Sequence, residues 1–144
     1  MKYTIKEALQ YSKNGQIEEW VHSFLNTVGK NKPFSEGLKM QKRFWLGPVM
    51  YDLSKVTRCV GADNTFKYFE PAENFENRVK GLQQARSKGF QFPPLIVENV
   101  NGELILSDGN HRIEALKREG VKEYWVIFWG SEGKENLSKL KKKE

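Results

Sequence analysis

The sequence predicts a small mixed α/β domain of the α+β class, and three observations predict it. An apolar stripe of helical period lies near the N-terminus. Asn101-Gly102 sits between two apolar runs and marks a tight hairpin. Tyr124–Trp129 is apolar on both faces, as a strand buried on both sides must be. Helical and strand patterns interleave in the order strand, helix, hairpin, helix, strand, which gives a small mixed sheet with packed helices.

The elements follow in chain order. In residues 16–28, Ile17, Trp20, Val21, Phe24, Leu25 and Val28 recur at helical spacing. Gly29 is the expected stop. A shorter helix is expected from Ser35, as N-cap, to Arg43. Gly47-Pro48 then breaks the chain. Residues 49–57 alternate as a first strand. The connection 58–73 is long for a structureless loop, and such loops commonly carry function. Phe75, Val79 and Leu82 share a face of a helix over 74–87, with Gly89 at its end. Pro93-Pro94 forces extended backbone into strand 95–98. Residues 103–107 return from the hairpin, a helix runs from Asn110 to Glu119, and Gly120 stops it. The organisation is an N-terminal helical extension (1–48), a core (49–130) and a Lys-rich tail (131–144).

Composition limits what the chain can be. Its 144 residues suffice for one domain with a true core, and an aromatic content of 12% argues against disorder. The net charge is +6, but five lysines and two glutamates in 134–144 supply half of it. A solvated tail therefore explains the high pI better than a nucleic-acid face. Cys59 is the single cysteine, so neither an internal disulfide nor a Cys-based zinc site can form. No apolar run reaches membrane-spanning length, and no hydrophobic core follows Met1 as in a secretory signal. The expected setting is the cytoplasm.

The segment that carries chemistry is Ser107-Asp108-Gly109-Asn110-His111-Arg112, where a strand turns into a helix. A helix N-terminus presents unpartnered backbone N–H groups and the positive end of the dipole. Gly109 allows a sharp turn and close approach of a ligand. Asn110 and His111 add side-chain donors, and Arg112 adds a planar fork suited to phosphate oxygens. Together these form an anion site. Asp108 is an anion beside it. It can cap the helix, hold a Mg²⁺ that bridges to phosphate, or act as a base toward an incoming hydroxyl. Arg112 has Glu119 and Glu123 as candidate partners, and His111 also reads as an ordinary structural histidine.

Residues 107–120, Ser-Asp-Gly-Asn-His-Arg-Ile-Glu-Ala-Leu-Lys-Arg-Glu-Gly, resemble the core motif of the ParB/sulfiredoxin superfamily. The resemblance extends to strand 49–57 with the following Arg58, to Phe75–Gly89 with Pro93-Pro94 and its strand, and to the closing strand Trp125–Trp129. Three branches are similar. Partition-type ParB proteins bind CTP at the matching position, but the helix-turn-helix part that follows in them has no counterpart here. Sulfiredoxins place the catalytic cysteine where this chain has Asn110, which excludes their chemistry. Free serine kinases, with Asp-Gly-His-His-Arg, are closest to Asp108–Arg112, and Asp63, Glu70 or Glu73 could supply the acidic residue such kinases use near the acceptor. Cys59 beside Arg58 has no role in this resemblance.

The resemblance implies a nucleotide (ATP, ADP or CTP) held at its phosphates by Ser107, Gly109, Asn110, His111, Arg112 and Arg58. Asp108 and His111 would be the catalytic pair of a small-molecule phosphotransferase or NTPase, with Asp108 on Mg²⁺. The alternative is a non-catalytic, nucleotide-switched or DNA-associated regulator using the Lys-rich tail. The 16–28 helix can cap the sheet, close the pocket or pair two subunits.

Overall fold

The computed structural model describes residues 1–58, 60–61, 68–69, 71–133, 137, 138 and 140. Helices α1 (Ile5–Lys13), α2 (Ile17–Asn26) and α3 (Lys32–Leu38) precede strand β1 (Phe44–Asp52). A short parallel pair, β2 (Val60–Gly61) and β3 (Tyr68–Phe69), leads to helix α4 (Ala72–Ser87). Strands β4 (Leu95–Val100) and β5 (Glu103–Asp108), helix α5 (Asn110–Arg118) and strand β6 (Glu123–Gly130) complete the core. The main sheet has the order β1-β6-β4-β5. Only β4 and β6 pair in parallel, and the other two pairings are antiparallel. The fold is therefore mixed α+β, as its sequence predicts.

Alternation along the two central strands divides the core into two layers. Leu95, Val97, Val126 and Phe128 face α4 and α5, where they pack with Phe75, Val79, Ile113 and Leu116. Ile96, Ile127 and Trp129 face the opposite way, against Trp20, Val21, Phe24, Leu25 and Leu38 of α2 and α3. The N-terminal helices thus cover the centre of one sheet face. The hairpin forms as expected, with φ of 53° at Asn101 and 88° at Gly102.

Four expectations are corrected. Helix α1 was not expected, because its apolar stripe is thin. It is set instead by its cap: the Thr4 side chain accepts from the Glu7 amide, and Glu7 accepts from the Tyr3 amide at 3.0 Å. Ser35 is no N-cap. It is fully buried within α3 and is 2.6 Å from Nδ1 of His22. The first strand begins at Phe44 and does not break at Gly47-Pro48, so position 48 falls inside β1. The register shifts between Leu46 and Val49, which takes Pro48 out of the ladder of an edge strand. Finally, Arg112 pairs with neither Glu119 nor Glu123. Glu119 is bonded to Arg86, and Arg112 turns back to Asp108.

Candidate functional site

The junction between β5 and α5 is built by backbone devices. Opposite β4, Ile96 pairs with Asp108 and Val97 with Leu106, so Ser107 is the extra residue of a bulge. The bulge turns Ser107 toward the α2 layer, where its hydroxyl accepts from Trp129 Nε1 at 2.9 Å. Gly109 is the N-cap of α5 with φ 111°. A Cβ there would lie 2.7 Å from Leu95 Cδ2 and 3.0 Å from an Arg112 nitrogen, so both conformation and space demand glycine. Having no side chain, Gly109 cannot cap the first-turn amides.

The Arg112 guanidinium lies beneath this turn. It donates to Asp108 Oδ2, to Pro93 O and to Pro94 O, each at 2.8 Å. It also stacks on Phe24 of α2, with its carbon 5.5 Å from the ring centroid. Burial pulls its pKa below the ordinary arginine value, and the Asp108 carboxylate opposes that shift. The second oxygen of Asp108 accepts from Asn31 Nδ2 at 3.1 Å. The Asp108 carboxylate is thereby accommodated at the start of α5, because its charge is matched locally.

Asn110 shows the complementary pattern. Arg58 Nε can only donate, and it lies 2.8 Å from Asn110 Oδ1, which fixes the amide orientation. Asn110 is only 8% exposed, and its Nδ2 is buried with no hydrogen-bond partner among the described residues. A buried donor left unmade costs about 1–3 kcal/mol, so such a group points to a missing acceptor. The rest of Arg58 is bonded to Glu114 and lies over the Phe75 ring. Glu114 in turn accepts from Arg118, which also binds Glu76, so this network ties the segment after β1 to α5 and α4.

These groups border a cavity of ≈ 590 Å³, within the range of small-molecule sites. The structure brings Ser107, Asp108, Gly109, Asn110, His111 and Arg112 together in its wall. Arg58 is not in that wall and reaches it through Asn110. The ring of His111 lies 5.4 Å from that of Phe75. The far walls were not legible as site residues: Val28, Gly29, Lys30 and Asn31 from the α2–α3 corner, Arg78 and Leu82 from α4, and Phe90 and Phe92 before β4. Val28 and Phe90 are exposed apolar side chains, 59% and 52%, and both open onto this cavity. That exposure is a signal only once the cavity is known. Asp63, Glu70 and Cys59 lie outside the described residues, as does most of the tail, and Glu73 is exposed in the first turn of α4. Among the described residues there is no cluster of three or more potential metal ligands, and no helix is long and apolar enough to cross a membrane.

No protein-family model and no curated protein matches the chain. Solved structures similar to it include a free serine kinase in complex with AMP. That match has 18% identity and a TM-score of 0.43, over 56% of this chain and 30% of the kinase. Sulfiredoxin from Arabidopsis thaliana is 25% identical, with a TM-score of 0.41, over 63% of this chain and 91% of the other. The C-terminally truncated partitioning protein ParB from Caulobacter crescentus, complexed with CTP-γ-S, is 23% identical. Its TM-score is 0.38, over 67% of this chain and 49% of the other. All three are in the ParB/sulfiredoxin superfamily that residues 107–120 resemble. The chain spans less than half the length of the kinase and ParB chains it matches.

Proposed function

We propose that this protein binds a nucleotide through its phosphates at the N-terminus of α5. The observation that carries this reading is a cavity whose wall joins the uncapped first turn of α5 to Asn110, the side chain whose buried Nδ2 has no partner among the described residues and would turn outward to meet an acceptor. Backbone amides, helix dipole and Asn110 amide all favour an anion there. Among the described residues of the wall, Lys30, Arg78 and Arg112 stand against one carboxylate, Asp108. Phe90, Leu82 and Val28 offer an apolar surface on which a base can lie, which a bare phosphate site would not need.

In this reading Arg112 acts from below: it holds the Asp108–Gly109 turn in place and adds its charge. Ser107 shapes the bulge, and Arg58 orients Asn110. Asp108 keeps a lone pair on each oxygen beyond its bonds to Arg112 and Asn31, room for one contact to a Mg²⁺ carried in on the phosphates. His111 stands in the same wall and is the group we assign to stabilise charge on a transferred phosphoryl group. Transfer would move the terminal phosphoryl from the nucleotide to a hydroxyl of a small acceptor. The hydroxyl proton would go to Asp108, and the nucleotide would leave with one phosphate fewer.

Calorimetric titration of the full chain with ATP, ADP, CTP and AMP, with and without millimolar Mg²⁺, tests the binding. Saturable binding is expected. The Asn110→Ala variant should bind about tenfold to a hundredfold more weakly while keeping its fold, since a hydrogen bond to a charged acceptor contributes about 1.5–3 kcal/mol. Failure of every nucleotide to bind the wild type would sink the reading. A second reading, a nucleotide-switched module without catalysis, is favoured by one observation: both Asp108 oxygens already accept hydrogen bonds. Single-turnover assays that show binding without product would select it.

A further inference from the structure

The α2–α3 corner does more than cover the sheet. Val28 and Lys30 are exposed, yet Val28, Gly29, Lys30 and Asn31 all line the cavity. The corner is anchored at both ends to the groups beneath the α5 turn. Gly29 sits so close to Phe24 that a Cβ would lie 2.8 Å from its ring, and that ring stacks under Arg112. Asn31 bonds directly to Asp108. Backbone bonds from Gly29 N to Phe24 O (2.8 Å) and Asn31 N to Leu25 O (2.7 Å) fix the chain between. Lys30 is thus held in the left-handed region at φ 50°. Among the described residues it has no ion-pair partner, and Arg78 of α4 lies in the same cavity wall.

We propose that Lys30 is a phosphate-binding residue supplied by the N-terminal layer. It makes the cavity prefer ligands with two or more phosphates over monophosphates. The inference rests on the nucleotide-phosphate reading above. One phosphate on the α5 amides and Asn110 Nδ2 uses the donors of that turn. A second phosphate extending outward needs a mobile point charge near the cavity opening, which a lysine on an exposed corner provides. The asymmetry is charge-based, so it applies to ADP and to inorganic pyrophosphate alike, whatever the base contributes.

The test compares AMP, ADP and pyrophosphate on the full chain by calorimetry, for the wild type, Lys30→Met and Lys30→Arg. Methionine keeps the stem without the charge, and thermal unfolding checks that each variant folds. The wild type is expected to favour ADP over AMP by about tenfold, the factor that about 1.4 kcal/mol gives. Lys30→Met should weaken ADP and pyrophosphate by about tenfold, leave AMP within about twofold, and so erase the preference, while Lys30→Arg restores most of it. Equal weakening of AMP and ADP, or no change in either, overturns the role of Lys30 while leaving the phosphate site standing. A wild type that binds none of the three overturns both.

Discussion

The two faces of the sheet differ in kind. The α4–α5 face is an ordinary hydrophobic layer whose helix α5 begins with the conspicuous motif. The α1–α3 face carries no motif, yet Phe24, Gly29, Lys30 and Asn31 reach the cavity from it. The motif supplies a turn and its amides, and the motif-free face supplies the support and the opposite wall. Half of this cavity is therefore visible in sequence while the other half is written in packing.

The difference between the layers is tested most sharply by removing one buried side chain from each. Phe24→Ala should destabilise by about 3–5 kcal/mol, because a nearly fully buried ring is removed. It should also weaken nucleotide binding, because the support under Arg112 goes with it. Val79→Ala, in the other layer, should destabilise less and leave binding intact in the folded fraction. Urea unfolding and calorimetry on the pair decide whether the N-terminal layer belongs to the site or only to the fold.

Next in size is Asp108→Asn. It removes the counter-charge of the buried Arg112 and leaves one amide oxygen where Arg112 and Asn31 each had an acceptor, and breaking such a pair costs about 3 kcal/mol. A loss of stability that greatly exceeds that of Asn31→Ala would show that Arg112, rather than the bond across to the corner, is the main partner. Gly109→Ala should cost about 2 kcal/mol through its positive φ, plus the clash with Leu95. It should lower nucleotide affinity more than stability, since the α5 turn itself must move.

The smallest effect expected is in pH dependence. Burial lowers the pKa of His22, assisted by Lys39 and opposed by Glu18. The unfolded chain then binds the proton more readily than the folded one. The contribution of His22 is fully present above its unfolded value of about 6.5 and is lost as pH falls through the folded one. His22→Gln should flatten a decline in thermal stability below about pH 6.5. An unchanged slope would show that burial does not hold the His22 proton affinity below that of the unfolded chain.

Much of this was legible locally. Period, turn chemistry and the Gly109 junction each depend on residues a few positions apart, so they located α2, α4, the hairpin, α5 and β6. Helix α1 was not read, since its Thr4–Glu7 cap is its main signal, and β1 was obscured because Pro48 is tolerated at a bulge in an edge strand. The roles of individual motif residues were not legible. Arg112 reads as a phosphate fork in sequence, but its donors are directed to carbonyls near residue 93 and to its own neighbour Asp108.

At the β5–α5 turn, local preferences alone dictate a helix N-terminus with a glycine cap and polar side chains. Which of those side chains are engaged, and which donor has no partner among the described residues, is settled by packing. That depends on Asn31, Arg58 and Phe24, distant in the chain and brought to the turn by burial of both sheet faces.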